Sequence, residues 1–138
     1  MTEQTKNSLS PLLFAMIILT KNNMKLTGVY NGDEYVSSMM LIPSDEKSIN
    51  KFGLNLDYKD VVDYGPMFVN PKYRGNKLQA QMLEYLDIYS KNLGYKFVAS
   101  TIHPDNIYSI NNLINDGFKY IDTKEFSRGT RNIYLKEL

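Results

Sequence analysis

The order of three segments between Val61 and Ile102 narrows the possible folds of this chain more than any other feature. The run VVDYGPMFV, from Val61 to Val69, has the β-branched and aromatic content of a strand. From Asn76 to Leu93 the residues Leu78, Met82, Leu86, Tyr89 and Leu93 recur at three- and four-residue spacing, the signature of an amphipathic helix, and Gly94 stands where a C-terminal cap belongs. The run YKFVASTI then reads as a buried strand. A strand, a helix and a second strand in succession imply a parallel pair joined by a helical crossover. Gly65-Pro66 interrupts the first strand, and a proline, which has no backbone N–H, is confined to an edge or a bulge. That strand is therefore expected to be locally unpaired.

The flanking segments predict a mixed α+β architecture, with a twisted, mostly antiparallel sheet and flanking helices. MKLTGVY and EYVSSMMLI flank Asn31-Gly32-Asp33, which marks a β-hairpin. Ser10-Pro11 ahead of the apolar run Leu12 to Leu19 favours a helix start, although periodicity does not separate a helix from a buried strand in so short a run. Ser44 to Asp60 is polar, with Phe52, Leu54 and Leu56 as anchors, and reads as a short helix or ordered loop. Ile107, Ile110, Leu113 and Ile114 mark a shorter helix closed by Gly117, and FKYIDT and RNIYLKEL supply two final strands with a turn near Gly129. With 138 residues and 43% hydrophobic content, the expectation is a single domain, 1–138. Sixteen basic against 15 acidic residues leave a net charge of +1, so no global field favours nucleic acid or an anionic membrane as partner. The chain has no cysteine and one histidine, His103, which argues against thiolate or histidine-rich metal sites. Leu12 to Leu19 is too short to span a bilayer and lacks a cleavage site, so a cytoplasmic location is the default expectation.

Chemistry concentrates in the loop VNPKYRGNKLQ. A helix N-terminus offers unpaired N–H groups and about half a positive charge. Lys72, Arg74 and Lys77 cluster there, and Gly75 permits close backbone approach, so a phosphate or pyrophosphate is the natural guest; the alternative is a solvated basic turn. The spacing fits neither a P-loop nor a dinucleotide fingerprint, because the required glycines are missing.

The segment FVNPKYRGNKLQAQML resembles the GNAT acetyltransferase motif in which a strand ending V-x-P-x-Y-R-G feeds a helix. The family's loop pattern is Arg or Gln, two residues, Gly, one residue, then Gly or Ala. Arg74 matches, whereas Lys77 and Gln79 replace the glycine and the small residue. Downstream, NIYSINNLINDGF is similar to a second family motif through Asn106, Ser109, Gly117 and Phe118. The resemblance covers roughly Met24 to the C-terminus, with the N-terminal part shortened: the strand and helix that many members carry ahead of the hairpin are not evident.

The resemblance implies acetyl-CoA as co-substrate without a metal. The pyrophosphate would lie on Arg74, Gly75, Asn76, Lys77, Leu78 and Gln79. The pantetheine arm would pair with backbone freed by the bulge at Met67, Phe68 and Val69, with Asn106 and Ser109 reaching it from the opposite side. It also implies an N-acetyltransferase acting on a primary amine of a small molecule or protein by direct attack in a ternary complex. In many members a tyrosine seven positions after the motif asparagine is the acid; here that position is Leu113. Tyr108 and Ser109 are the first replacements, with Tyr120 and Tyr134 behind them, and Asp63 is the best-placed base. His103, ahead of Pro104, reads as a turn residue. A backbone N–H near Phe68 or Val69 is the natural oxyanion donor. The competing reading is a degenerate CoA-binding or interaction module without catalysis, and a homodimer is one way to cover an exposed strand edge.

Overall fold

Apolar alternation and tight turns generate one continuous sheet. The computed structural model describes residues 2–8, 13–75 and 77–138, and side chains within that set from Met16 onward. Eight strands run in the order β1-β2-β3-β4-β5-β6-β8-β7: β1 (Thr2–Ser8), β2 (Leu13–Lys21), β3 (Met24–Asn31), β4 (Glu34–Pro43), β5 (Val61–Val69), β6 (Phe97–Ile102), β7 (Lys119–Phe126) and β8 (Gly129–Glu137). Among the described residues only β5 and β6 are parallel, and α2 (Leu78–Asn92) is the crossover between them. The remaining helices are α1 (Glu46–Phe52) and α3 (Ile107–Asn115), with 3-10 turns at Tyr58–Asp60 and Pro71–Tyr73. The mixed architecture, its parallel pair and the Gly32 turn, with φ +62, match expectation.

The N-terminal segment differs from expectation. Ser10 and Pro11 lie outside the described residues, and the apolar run beyond them is β2 rather than a helix. Met16 and Ile18 are fully buried while Leu19 is half-exposed, an alternation with period two. Asn22 and Asn23 both take positive φ, the geometry of a tight hairpin turn that returns the chain into β3. The hairpin β3–β4 is thus preceded by two strands, not by bare edge, and β2 covers β3 along seven residue pairs. Among the described residues no helix precedes that hairpin, and none is long and apolar enough to cross a membrane.

Helices cover both faces of the sheet. On one face Leu78, Met82, Leu83 and Leu86 of α2 pack with Val62, Val98 and Leu113; on the other Ile49 of α1 packs with Val61 and Ala99. Each fully buried large side chain there contributes about 1.5–3 kcal/mol of burial. Asp45 caps α1 by accepting from the Ser48 N–H at 2.7 Å, and Gly53 ends the helix at φ +70. A buried polar knot fastens β5 to α2. The Tyr64 hydroxyl donates to Asp87 Oδ1 at 2.7 Å, and Lys136 Nζ bridges Asp87 at 2.6 Å and Asp116 at 3.2 Å. Burial, then hydrogen bonding to and the charge of Asp87, push the Asp116 carboxyl up. Burial and the Asp87 charge raise the Tyr64 hydroxyl. The knot sits where β5 and β6 part company.

Candidate functional site

β5 and β6 pair from Val61↔Phe97 only as far as Tyr64↔Ser100. Beyond that point β5 stays with β4 through Met39↔Met67, Ser38↔Phe68 and Ser37↔Val69, while β6 stays with β8 through Thr101↔Ile133 and Ile102↔Asn132. The two strands therefore diverge, and the edge of β5 facing β6 carries backbone groups with no strand partner. The β4–β5 register shifts between Met39 and Leu41, opposite Gly65-Pro66, which places the bulge at the expected dipeptide. A Cβ at 65 would lie 3.2 Å from Met40 Cβ, a tight contact that glycine avoids.

A cavity of about 380 Å³ fills the mouth of this divergence, lined by Met67, Val69, Arg74, Gly75, Leu78 and Gln79 from one side and Asn106, Tyr108 and Ser109 from the other. A second cavity of about 630 Å³ shares Met67, Gln79, Asn106 and Ser109 with the first and continues past Gly65 to Asp63 and α1. The two meet at the gap between the strands.

The loop that feeds α2 is held by its own side chains. Asn70 accepts from the Lys72 N–H and donates to the Tyr35 carbonyl at 2.8 Å, while the Tyr73 hydroxyl donates to Glu34. Gly75 adopts φ +85 with open space where a Cβ would be. The first turn of α2 has no side-chain cap, and Lys77, at φ 56, occupies the cap position. One sequence expectation is corrected here. Lys72 does not join an anion cluster, because its ammonium pairs with Glu34 at 3.0 Å. The Lys77 side chain lines neither cavity. Asn76 lies outside the described residues.

Across the gap, Asn106 caps α3 by accepting from the Ser109 N–H at 3.2 Å. Gln79, where the family's loop has a small residue, is buried and spans the two helices: its Nε2 donates to Ser109 Oγ at 3.2 Å and its Oε1 accepts from Asn112 at 2.7 Å. That bond uses the Ser109 oxygen as acceptor and does not engage its hydroxyl proton. Tyr108 is mostly exposed at the rim of the smaller cavity. Tyr120 and Tyr134 line neither cavity, and Leu113, buried in the core, borders the larger one. His103 Nδ1 accepts from the Asp105 N–H at 3.0 Å, the turn role expected of it, although its ring also borders the larger cavity. Phe68 borders only the larger cavity.

Asp63 stands in the larger cavity, on the α1 side of β5. Its Oδ1 is buried without a hydrogen-bond partner, and burial, with the Asp45 carboxylate adding to it, pushes its pKa up to about 7. The sequence singled out Asp63 but not its surroundings. Lys51 of α1 and Arg128 and Arg131 of the β7–β8 hairpin also line this cavity, and nothing in their local patterns signalled it. Asn112 was missed for the same reason, because its role exists only through Gln79.

No protein-family model matches the chain, and no curated protein matches it. Its structure, however, is similar to solved acetyltransferase structures. One is the GNAT domain of S. lividans PAT, with TM-score 0.66 and 15% identity over 83% of this chain and 61% of that one. Another is yncA from Salmonella typhimurium with its cofactor acetyl-CoA, with TM-score 0.65 and 15% identity over 83% of this chain and 65% of that one. A third is a Bacillus subtilis acetyltransferase in complex with CoA, with TM-score 0.65, 13% identity, and coverage of 83% and 77%. The chain thus spans less than two thirds of the first two of these. What they share with it is the overall fold, and the chain has the GNAT fold.

Proposed function

We propose that this protein is an N-acetyltransferase, one domain that moves an acetyl group from acetyl-CoA to a primary amine by direct attack in a ternary complex. The observation that carries the proposal is the meeting of two cavities at the gap between β5 and β6, one leading to the uncapped start of α2 and the other to Asp63. Donor and acceptor enter from opposite faces of the sheet. The residues present fit the donor. Arg74, Gly75 and the first turn of α2, from Leu78 and Gln79, together with Asn76 and Lys77, would hold the pyrophosphate. The open edge at Met67, Phe68 and Val69 would pair with the pantetheine amides, with Asn106 and Ser109 closing the other side.

In the reaction the amine nitrogen attacks the thioester carbonyl carbon, the oxyanion is held by a backbone N–H of the β5 edge, and the C–S bond breaks as the amide forms. Asp63, with a pKa near 7, takes the proton from the attacking amine. Ser109, oriented by Gln79, or Tyr108 delivers a proton to the leaving thiolate. Two ligands held in line supply the larger part of the rate by orientation.

The test is thermal: saturating acetyl-CoA at about a hundred times its Kd is expected to stabilise the fold by about 2.7 kcal/mol. Gly75→Glu, which pushes a carboxylate into the open space of the loop, is expected to abolish that shift. An unchanged Tm at millimolar acetyl-CoA refutes the proposal. A second reading, a CoA-binding module without transfer, draws on Leu113, buried at the position of the usual acid. It predicts the thermal shift without thiol release across a panel of amines.

A further inference from the structure

The face of the larger cavity remote from α2 is strongly cationic. Its mouth is formed by Lys51 and Phe52 at the end of α1 and by Phe126, Arg128 and Arg131 of the β7–β8 hairpin. Among all the residues lining this cavity the only carboxylate is Asp63, at the inner end. Among the described residues none of the three cations takes part in an ion pair. Three like charges around one opening repel one another, and that arrangement is relieved when an anion sits among them.

Two of the three cations, Lys51 and Arg131, are held by contacts of their own. Lys51 Nζ lies 4.7 Å from the centre of the Phe126 ring, which packs edge-on against Phe52 at 5.9 Å. Lys124 Nζ donates to the Lys51 carbonyl at 3.1 Å, adding a further positive charge and tying α1 to β7. Arg131 donates to the Thr130 carbonyl at 2.7 Å, and Glu125, paired with Thr130 across the hairpin, accepts from the Thr130 hydroxyl. Leu135 packs in the α1-side cluster, so by strand alternation Ile133 and Arg131 face the same way. The pairing Ile102↔Asn132 puts Arg131 one step further, level with His103, where β6 ends. At about 4.8 Å per strand, the β5–β6 gap lies about 5–10 Å from β8.

Resting on the acyltransferase reading above, we infer that the acceptor is an amine that also carries an anionic group, carboxylate or phosphate, with the amine directed to Asp63 and the gap and the anion seated among Lys51, Arg128 and Arg131. The polarity matches at both ends: the cationic rim takes the anion and the lone carboxylate takes the ammonium. The same rim repels polycationic acceptors.

The experiment is isothermal titration of the CoA-loaded protein with four probes: 4-aminobutanoate, phosphoethanolamine, 4-aminobutanamide and spermidine. At least one of the two anionic amines is expected to bind tenfold or more tighter than the neutral amide and spermidine, and which of the two does so assigns carboxylate or phosphate. Arg128→Gln/Arg131→Gln is expected to weaken that binding tenfold or more while leaving the Kd for CoA within twofold, so a misfolded variant is recognised by loss of both. In that case Lys51→Gln, on a separate element, is held to the same criterion. Tighter binding of spermidine or of the neutral amide, no binding of any probe, or unchanged affinity in the folded variant overturns the inference. Repeating the titration without CoA separates the two proposals. If CoA itself fails to bind, the acyltransferase reading falls, and the cationic pocket stands or falls on the anionic probes alone.

Discussion

Asp63→Asn should make the protein more stable and less active, and the size of both effects follows from one buried carboxyl. Its pKa is raised from 3.8 to about 7, chiefly because burial penalises the charged form. Below about pH 4 the group is protonated in folded and unfolded chains alike and costs nothing. Between about 4 and 7 the unfolded chain releases the proton while the folded chain keeps it, so stability falls as pH rises; above about 7 the penalty is constant. A rise of about three units at about 1.36 kcal/mol each gives a penalty of about 4 kcal/mol at pH 8, and of about 1.5 kcal/mol at pH 5. An asparagine carries no such charge. Calorimetry at the two pH values is therefore expected to show a gain in the variant that is larger at pH 8 than at pH 5 by about 2–3 kcal/mol, or about 10 °C in Tm for a chain of this size. Acetyl transfer is expected to fall about 10²–10⁴-fold in the same variant, with loss of the rising limb of kcat/KM near pH 7. An equal Tm change at both pH values would refute the burial argument, and a retained limb would remove Asp63 from the chemistry.

Two further variants probe the supports of the gap. Lys136→Met leaves Asp87 and Asp116 together in a buried site, and urea titration at pH 8 is expected to show a loss of about 3–5 kcal/mol. Because Asp116 is pushed up in the folded protein, that loss should be smaller at pH 5, where it holds a proton. Gln79→Ala removes two hydrogen bonds between α2 and α3 and is expected to cost about 1–2 kcal/mol of stability. It should lower kcat more than it raises the KM for acetyl-CoA, since Ser109 loses its orientation; a change in KM alone would show that Gln79 serves only binding.

What the sequence made legible is what depends on neighbours in the chain. Gly65-Pro66 announces a bulge because the constraint is in the dipeptide itself, and the β5–β4 register shifts there. Gly75 and the start of α2 are legible for the same reason. The β2 strand was not, since an apolar run before Asn22-Asn23 becomes a strand only when β3 lies beside it to accept its hydrogen bonds. Lys72 looked like a phosphate ligand until Glu34, on another strand, claimed it.

The division has a functional counterpart. On the proposed reading, the donor side of the gap would be built mainly from main-chain groups of one continuous stretch, β5 to α2, and its binding should survive Lys77 and Gln79 in place of small residues. The larger cavity, the acceptor side on that reading, is lined by side chains of α1, β5 and the β7–β8 hairpin, segments that meet only after the sheet has formed. The resemblance therefore reaches the acceptor half only at Asp63. If specificity resides in the other half, substitutions at Lys51, Arg128 and Arg131 should alter which amine is used while leaving acetyl-CoA affinity where the backbone sets it.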